Sequence, residues 1–147
     1  MPARQYENTM PILYRHGIQN IDFNDVLDLY AASTLGERRP LHDRERMLAM
    51  WRNANLVITA WDGPLLVGLA RSLTDTDYCT YLSDLAVRAS HQRQGIGREL
   101  VRHTREAAPT ATLILLSAPK AVDYYPRLGF TRHESAWTLS PSQPLAE

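Results

Sequence analysis

The chain has 147 residues, 44% of them hydrophobic, which suits one compact domain with a substantial core. Its 16 basic residues balance 16 acidic ones, so no general electrostatic pull toward nucleic acid or an anionic membrane is expected. A single cysteine, Cys79, excludes an intrachain disulfide framework and a cysteine-based metal cluster, and fits a reducing compartment.

The opening residues Met1 to Asn8 carry no apolar secretion core, and no apolar run reaches the length of a membrane span; the cytoplasm is the expected compartment. Ile12 to His16 reads as a strand. Phe23, Val26, Leu27 and Tyr30 fall at helical spacing between Phe23 and Ser33, with Asp22 or Asn24 available as N-cap. A loop from Thr34 to Pro40 precedes a second helix, His42 to Asn55, whose apolar side carries Met47, Leu48 and Trp51. Strands Leu56 to Trp61 and Leu65 to Leu73 follow, joined at the hairpin signal Asp62-Gly63. Thr80 to Val87 alternates with period two, so Tyr81, Ser83, Leu85 and Val87 are expected on one face and Leu82, Asp84 and Ala86 on the other, unless a bulge intervenes. Cys79, at the start of this run, reads as a buried or half-buried structural thiol.

A helix opening near Gly95 is expected to bury Ile96, Leu100, Val101, Thr104 and Ala108 and to leave Arg98, Arg102 and Arg105 outside. Thr112 to Ser117 is a continuous apolar strand of the kind covered on both faces. A short helix around Ala121 to Leu128 and a strand from Phe130 to Leu139 complete the order, and the Pro- and Ser-bearing tail after Leu139 is expected to be disordered. The strand, helix, strand succession from Thr80 to Thr112 makes those two strands parallel neighbours, while the earlier hairpin is antiparallel. The fold class is therefore mixed α/β in a single domain spanning 1–147, with its core at about 10–140.

The turn between Val87 and Leu100 is the most informative segment. A strand ends, a polar stretch with Gly95 and Gly97 follows, and a helix begins, presenting unpartnered N–H groups and the positive end of the helix dipole to an anion. A triphosphate loop would need Lys and then Ser or Thr after its last glycine; Gly97 is followed by Arg98 and Glu99. A dinucleotide fingerprint would need a small residue where Leu100 stands. A diphosphate held without metal remains, which describes coenzyme A better than ATP.

The run Gln92-Arg93-Gln94-Gly95-Ile96-Gly97, preceded by Leu85-Ala86-Val87, resembles motif A of the GNAT superfamily of acyl-CoA-dependent N-acyltransferases. Tyr124-Tyr125-Pro126-Arg127-Leu128-Gly129-Phe130 resembles the family's motif B. The resemblance implies a mixed, mostly antiparallel sheet flanked by helices, with two parallel strands splayed to admit the pantetheine arm. It further implies that the main chain of Leu85, Ala86 and Val87 bonds that arm, and that Gln92 to Gly97 cradle the diphosphate with Arg93 and Arg98 in support. Tyr124 is placed beside the coenzyme or packed on the fold.

The implied reaction is acetyl transfer from acetyl-CoA to the primary amine of a small molecule or peptide, by direct attack in a ternary complex. The alternative is an acyl-CoA-binding sensor without catalysis. Tyr125 takes the family's general-acid position, and the N–H of Leu85 or of a neighbour on the splayed strand is the implied oxyanion donor. Asp84 has two readings, as general base for the amine or as a carboxylate that caps backbone or pairs with an arginine; Tyr81 and Ser83 are rival holders of a water. Arg38 and Arg39, in the loop between the first helices, either meet an acid on the acceptor or lie on plain surface. Two family features are missing: Ala118 stands where many members have a coenzyme-binding Asn, and Ala89 where many have Pro. No pair among the five histidines has metal-ligand spacing with a carboxylate, and no metal is expected. The partners expected are acetyl-CoA and an amine, without nucleic acid or membrane, and with a homodimer open, for which Trp137 is a candidate interface residue if it is not in the core.

Overall fold

The structure is a computed structural model and describes residues 11–147; the opening segment Met1 to Asn8, judged above from sequence, lies outside the described residues. The chain divides into two compact units, one ending at Leu116 and the other spanning Ser117–Glu147.

The first unit is built on a five-stranded sheet in the order β1 (Leu13–His16), β2 (Leu56–Asp62), β3 (Leu65–Thr74), β4 (Cys79–Val87) and β5 (Thr112–Ile114). All neighbours are antiparallel except β4 and β5, which are parallel. The turn between β2 and β3 is the residue pair Gly63-Pro64, with Gly63 in the left-handed region at φ +54°. Between β1 and β2 the chain forms α1 (Phe23–Ala31), a 3-10 turn (Thr34–Arg38) where a plain loop was expected, and α2 (Arg44–Asn53). Asp22 caps α1 through the Asn24 N–H, and Asp43 caps α2 through the Arg46 N–H.

The core lies between the sheet and α1 and α2, where Val26, Leu29, Tyr30, Met47, Trp51, Val57, Trp61, Leu66 and Leu69 are buried together. The opposite face receives α3 (Ile96–Ala107), which buries Ile96, Leu100, Val101 and Thr104, with Ala108 just beyond, as its spacing predicts. Gly68 of β3 makes this approach possible. A Cβ there would lie 2.9 Å from Leu100 Cδ1 and 3.1 Å from Ile96 Cγ2, so a side chain would push the helix away from the strand. On the surface of α3, Arg102 bridges Glu99 and Glu106, keeping it in solvent as expected. At the β1 edge, His16 Nε2 meets His103 Nδ1 of α3 at 3.2 Å, and Tyr14 stacks on the His103 ring.

Several expectations are corrected. The period-two reading of β4 fails at a bulge: Arg71 pairs with Asp84 but Ser72 pairs with Leu82, leaving Ser83 as the extra residue. Arg71 points at α1 and α2, through Asp84, Tyr30 and the Met50 carbonyl, whereas Gly68 and, by alternation, Ser72 face α3. Leu82 and Asp84 therefore fall on opposite faces of the sheet, not on one. Cys79 is exposed, because it opens β4 immediately after the Asp75 turn at the end of the sheet. The strand expected from Thr112 to Ser117 is only Thr112–Ile114 and is not covered on both faces; Ile114 is 48% exposed.

The second unit contains a 3-10 turn at Pro119–Ala121 and the single-turn α4 (Tyr124–Arg127) in place of one helix from Ala121 to Leu128. Phe130 to Leu139 forms no strand. A strand satisfies its N–H and C=O groups only against another strand, and none is present among the residues of this unit. Trp137 is 92% exposed, which excludes the core reading of that residue. The tail expected to be disordered forms a turn closed by Gln143 N–H to the Ser140 carbonyl. Among the described residues no helix is long and apolar enough to cross a membrane.

Candidate active site

The site in the first unit begins with the way β4 parts from β5. Their pairing covers Cys79, Thr80 and Tyr81 against Thr112, Leu113 and Ile114 and then stops, so among the described residues Leu82 to Val87 have no strand partner on one edge. The Arg88 N–H bonds the Val67 carbonyl at 2.8 Å, which fixes the alternation of the ladder to β3. Ala86 turns its main chain to Leu69 of β3, whereas Leu85 and Val87 turn theirs to the open edge. Of the three residues expected to offer main-chain bonds at this edge, Leu85 and Val87 are so directed; Ala86 spends its groups inside the sheet.

Beyond Val87 the chain makes a short 3-10 turn, Ala89–His91, and then the polar turn that opens α3. Gln92, Arg93, Gln94 and Gly95 are all exposed, Gly97 is half-buried and Ile96 is buried beneath the helix. Gly95 is the N-cap, in the left-handed region at φ +80° and with no side-chain cap. Arg93 also has positive φ, +63°, an unusual state for a residue with a Cβ. The first intrahelical bond runs from Glu99 N–H to the Gly95 carbonyl, so the N–H groups of Ile96, Gly97 and Arg98 point out of the helix end. Gln92 Nε2 donates to the Val87 carbonyl at 3.2 Å, joining the turn to the open strand edge.

Residues with no bridging role assigned from the sequence hold this turn in place. Arg88 donates to the Leu66 carbonyl and pairs with Asp28 of α1 at 2.9 Å. His91 Nε2 lies 2.8 Å from Asp62 Oδ2, at the end of the β2–β3 hairpin, while its Nδ1 meets Ser90 Oγ. Ala89 N–H bonds the Ala32 carbonyl. Only the Arg88 and His91 residue types signalled a role, since each can bridge elements; their partners are remote in sequence.

Asp84 lies just before the open edge and is fully buried. Its Oδ2 accepts from the Tyr30 hydroxyl and from Arg71 Nε at 2.7 Å; its Oδ1 accepts from Arg39 Nε at 2.8 Å and Ser83 Oγ at 3.1 Å. Arg39 Nη2 also donates to the Ser83 carbonyl, and Arg71 Nη2 to Ser83 Oγ. Burial alone would raise the Asp84 pKa, but the hydrogen bond and charge of Arg71, with Tyr30 and Arg39, hold it below the usual carboxylate range. Burial and then Asp84 push the Tyr30 phenol well above its ordinary value, so it stays protonated. Of the two readings of Asp84, arginine pairing is the one this geometry realises. Arg39, which could have lain on plain surface, is a partner in that pairing; Arg38 remains exposed.

In the second unit, Tyr124 and Tyr125 open α4 with ring centroids 5.3 Å apart, and Tyr125 packs edge-on against Phe130 at 5.5 Å. The Tyr125 carbonyl accepts from both Leu128 and Phe130 N–H, a closure that places Gly129 at φ +96°. Burial first, and then Tyr124, raise the Tyr125 pKa above the ordinary tyrosine value.

The family model described as "Acetyltransferase (GNAT) domain" matches residues 34–138. Among solved structures, a GNAT-family acetyltransferase from Streptococcus pneumoniae is 25% identical, with a TM-score of 0.69, covering 88% of this chain and 98% of its own. An aminoglycoside acetyltransferase from an uncultured soil metagenomic sample, solved with sisomicin, is similar at 20% identity and TM-score 0.69, covering 90% and 97%. A Trypanosoma brucei acetyltransferase is similar at 22% identity and TM-score 0.63, covering 88% and 99%. No curated protein matches the chain.

Proposed function

The chain belongs to the GNAT acetyltransferase family, and from that premise we propose that it transfers an acetyl group from acetyl-CoA to a primary amine of a small molecule or peptide by direct attack in a ternary complex. The observation that carries this reading is one continuous surface: an unpaired strand edge at Leu85 and Val87 leading directly to an uncapped helix N-terminus at Ile96 to Arg98. An extended amide-bearing arm can add to the first as a strand would. A diphosphate can sit on the second without a metal. Gln92, Arg93, Gln94, Gly95, Ile96, Gly97 and Arg98 form the diphosphate site, with Tyr124 assigned to the coenzyme.

In the reaction, the amine nitrogen attacks the thioester carbonyl, forming a C–N bond and an oxyanion for which Leu85 N–H is the proposed donor. Collapse breaks the C–S bond. The departing sulfur takes up a proton and the amine loses one; the proton donor is assigned to the Tyr125 hydroxyl by its position in motif B. Its raised pKa favours the protonated form at neutral pH. Asp84 is assigned as a positioning residue: both of its oxygens are engaged, and through Arg71 and Arg39 it holds the bulge that sets Leu85 on the open edge.

The test is release of free thiol from acetyl-CoA across a panel of amines, amino acids and peptides. Amine-dependent release supports the transferase; tight acetyl-CoA binding with no release from any acceptor would identify a sensor instead.

A further inference from the structure

The cluster at the β4 bulge does not balance in charge. Asp84 contributes one negative charge, Arg39 and Arg71 contribute two positive ones, and Tyr30 is neutral. Among the described residues neither guanidinium has a second carboxylate partner. The surplus emerges at Arg39, whose side chain is 20% exposed against 8% for Arg71. Arg39 spends Nε and Nη2 on Asp84 and Ser83 and one Nη1 hydrogen on the Arg38 carbonyl, leaving Nη1 a second hydrogen for an incoming acid.

The position of this surplus is set by the Ser83 carbonyl, which accepts from Arg39 Nη2 at 2.8 Å two residues before Leu85. At strand rise that is roughly 7 Å from the main chain assigned to the reacting carbonyl. A half-buried net charge is costly until an opposite charge approaches, and one surplus charge matches a carboxylate better than a phosphate dianion. We infer that the acceptor is an amino acid or related amine carrying a carboxylate close to the reacting nitrogen, received by Arg39 at the mouth of the Asp84 cluster. This rests on the acetyl-transfer reading above.

The experiment uses the full chain, acetyl-CoA and matched acceptors: free amino acids against their carboxamides, β-alanine against phosphoethanolamine, and sisomicin as a polycation. The acids are expected to exceed their amides about 10- to 100-fold in kcat/KM, the worth of a hydrogen bond to a charged group. Arg39→Gln should collapse that ratio toward one, and Arg39→Lys should preserve most of it. A merely structural Arg39 would lower both members of a pair alike and leave the ratio unchanged, which would overturn the inference. Amides or sisomicin used as well as the acids, phosphoethanolamine preferred over β-alanine, or no acid used while acetyl-CoA binds by calorimetry, would overturn it too. Failure of acetyl-CoA to bind would instead remove the acetyl-transfer reading itself.

Discussion

Tyr125 and Asp84 carry the sharpest predictions at the level of single residues. Replacing Tyr125 by Phe removes one oxygen from a ring packed against Phe130, so the fold and acetyl-CoA affinity should persist while kcat falls about 100-fold, the lower end for a general acid. The wild-type rate should decline only above about pH 10, the ordinary tyrosine value, because burial raises this phenol. That alkaline limb should vanish in the Phe variant. Asp84→Asn leaves one buried and one half-buried guanidinium facing a neutral amide, and breaking a buried pair costs about 3–5 kcal/mol. Since the folded carboxyl is held below its unfolded value of about 3.9, its stabilisation is full above that pH and is lost as pH falls through the lower, folded value. Denaturation at a series of pH values should show a gap between wild type and Asn variant that is widest near neutrality and closes below pH 4. That Asp84 pairs with an arginine was one of two readings of the sequence, but which arginine was not legible: Arg39 and Asp84 are 45 residues apart, and one-dimensional spacing offers no way to choose among 16 basic residues.

Elements were more legible where local periodicity met tertiary packing. The buried stripe of α3 and the β2–β3 hairpin follow from apolar spacing and turn chemistry; the stripe forms as expected, and the hairpin turns one residue later than its Asp62-Gly63 signal, at Gly63-Pro64. A bulge in β4 was open from the sequence, but its place at Ser83 was not legible, since no glycine in β4 marks it. Gly68 is a similar case. A glycine inside a strand pattern signals close approach by something, but only the structure identifies α3. Gly68→Ala should destabilise the fold by about 1–3 kcal/mol in denaturant titrations and weaken acetyl-CoA binding, because the helix whose N-terminus forms the proposed site is displaced. Gly95→Ala meets no steric obstacle, yet forces a residue with a Cβ to φ +80°. It should cost about 1–2 kcal/mol of stability or recover that amount by deforming the turn, with a weaker acetyl-CoA Kd in either case.

At the scale of the whole chain, the order of elements from β2 to Ile114 was readable because each strand there has a partner across a short turn or a single crossover helix, whereas β1 reaches β2 only across α1 and α2. The segment from Phe130 to Leu139 misled because its place at the end of the element order says nothing of whether a partner strand exists. Trp137 stands in that segment, 92% exposed, while Trp51 and Trp61 lie in the core of the first unit. Trp137→Ser should therefore leave stability within about 0.5 kcal/mol of wild type and remove the red-shifted, readily quenched part of the tryptophan emission.

Calorimetric titration of the protein with acetyl-CoA tests most directly whether a strand edge and a helix N-terminus hold the coenzyme. One molecule bound per chain, with affinity reduced in Gly95→Ala, is the predicted result; no binding to the wild-type chain would contradict it.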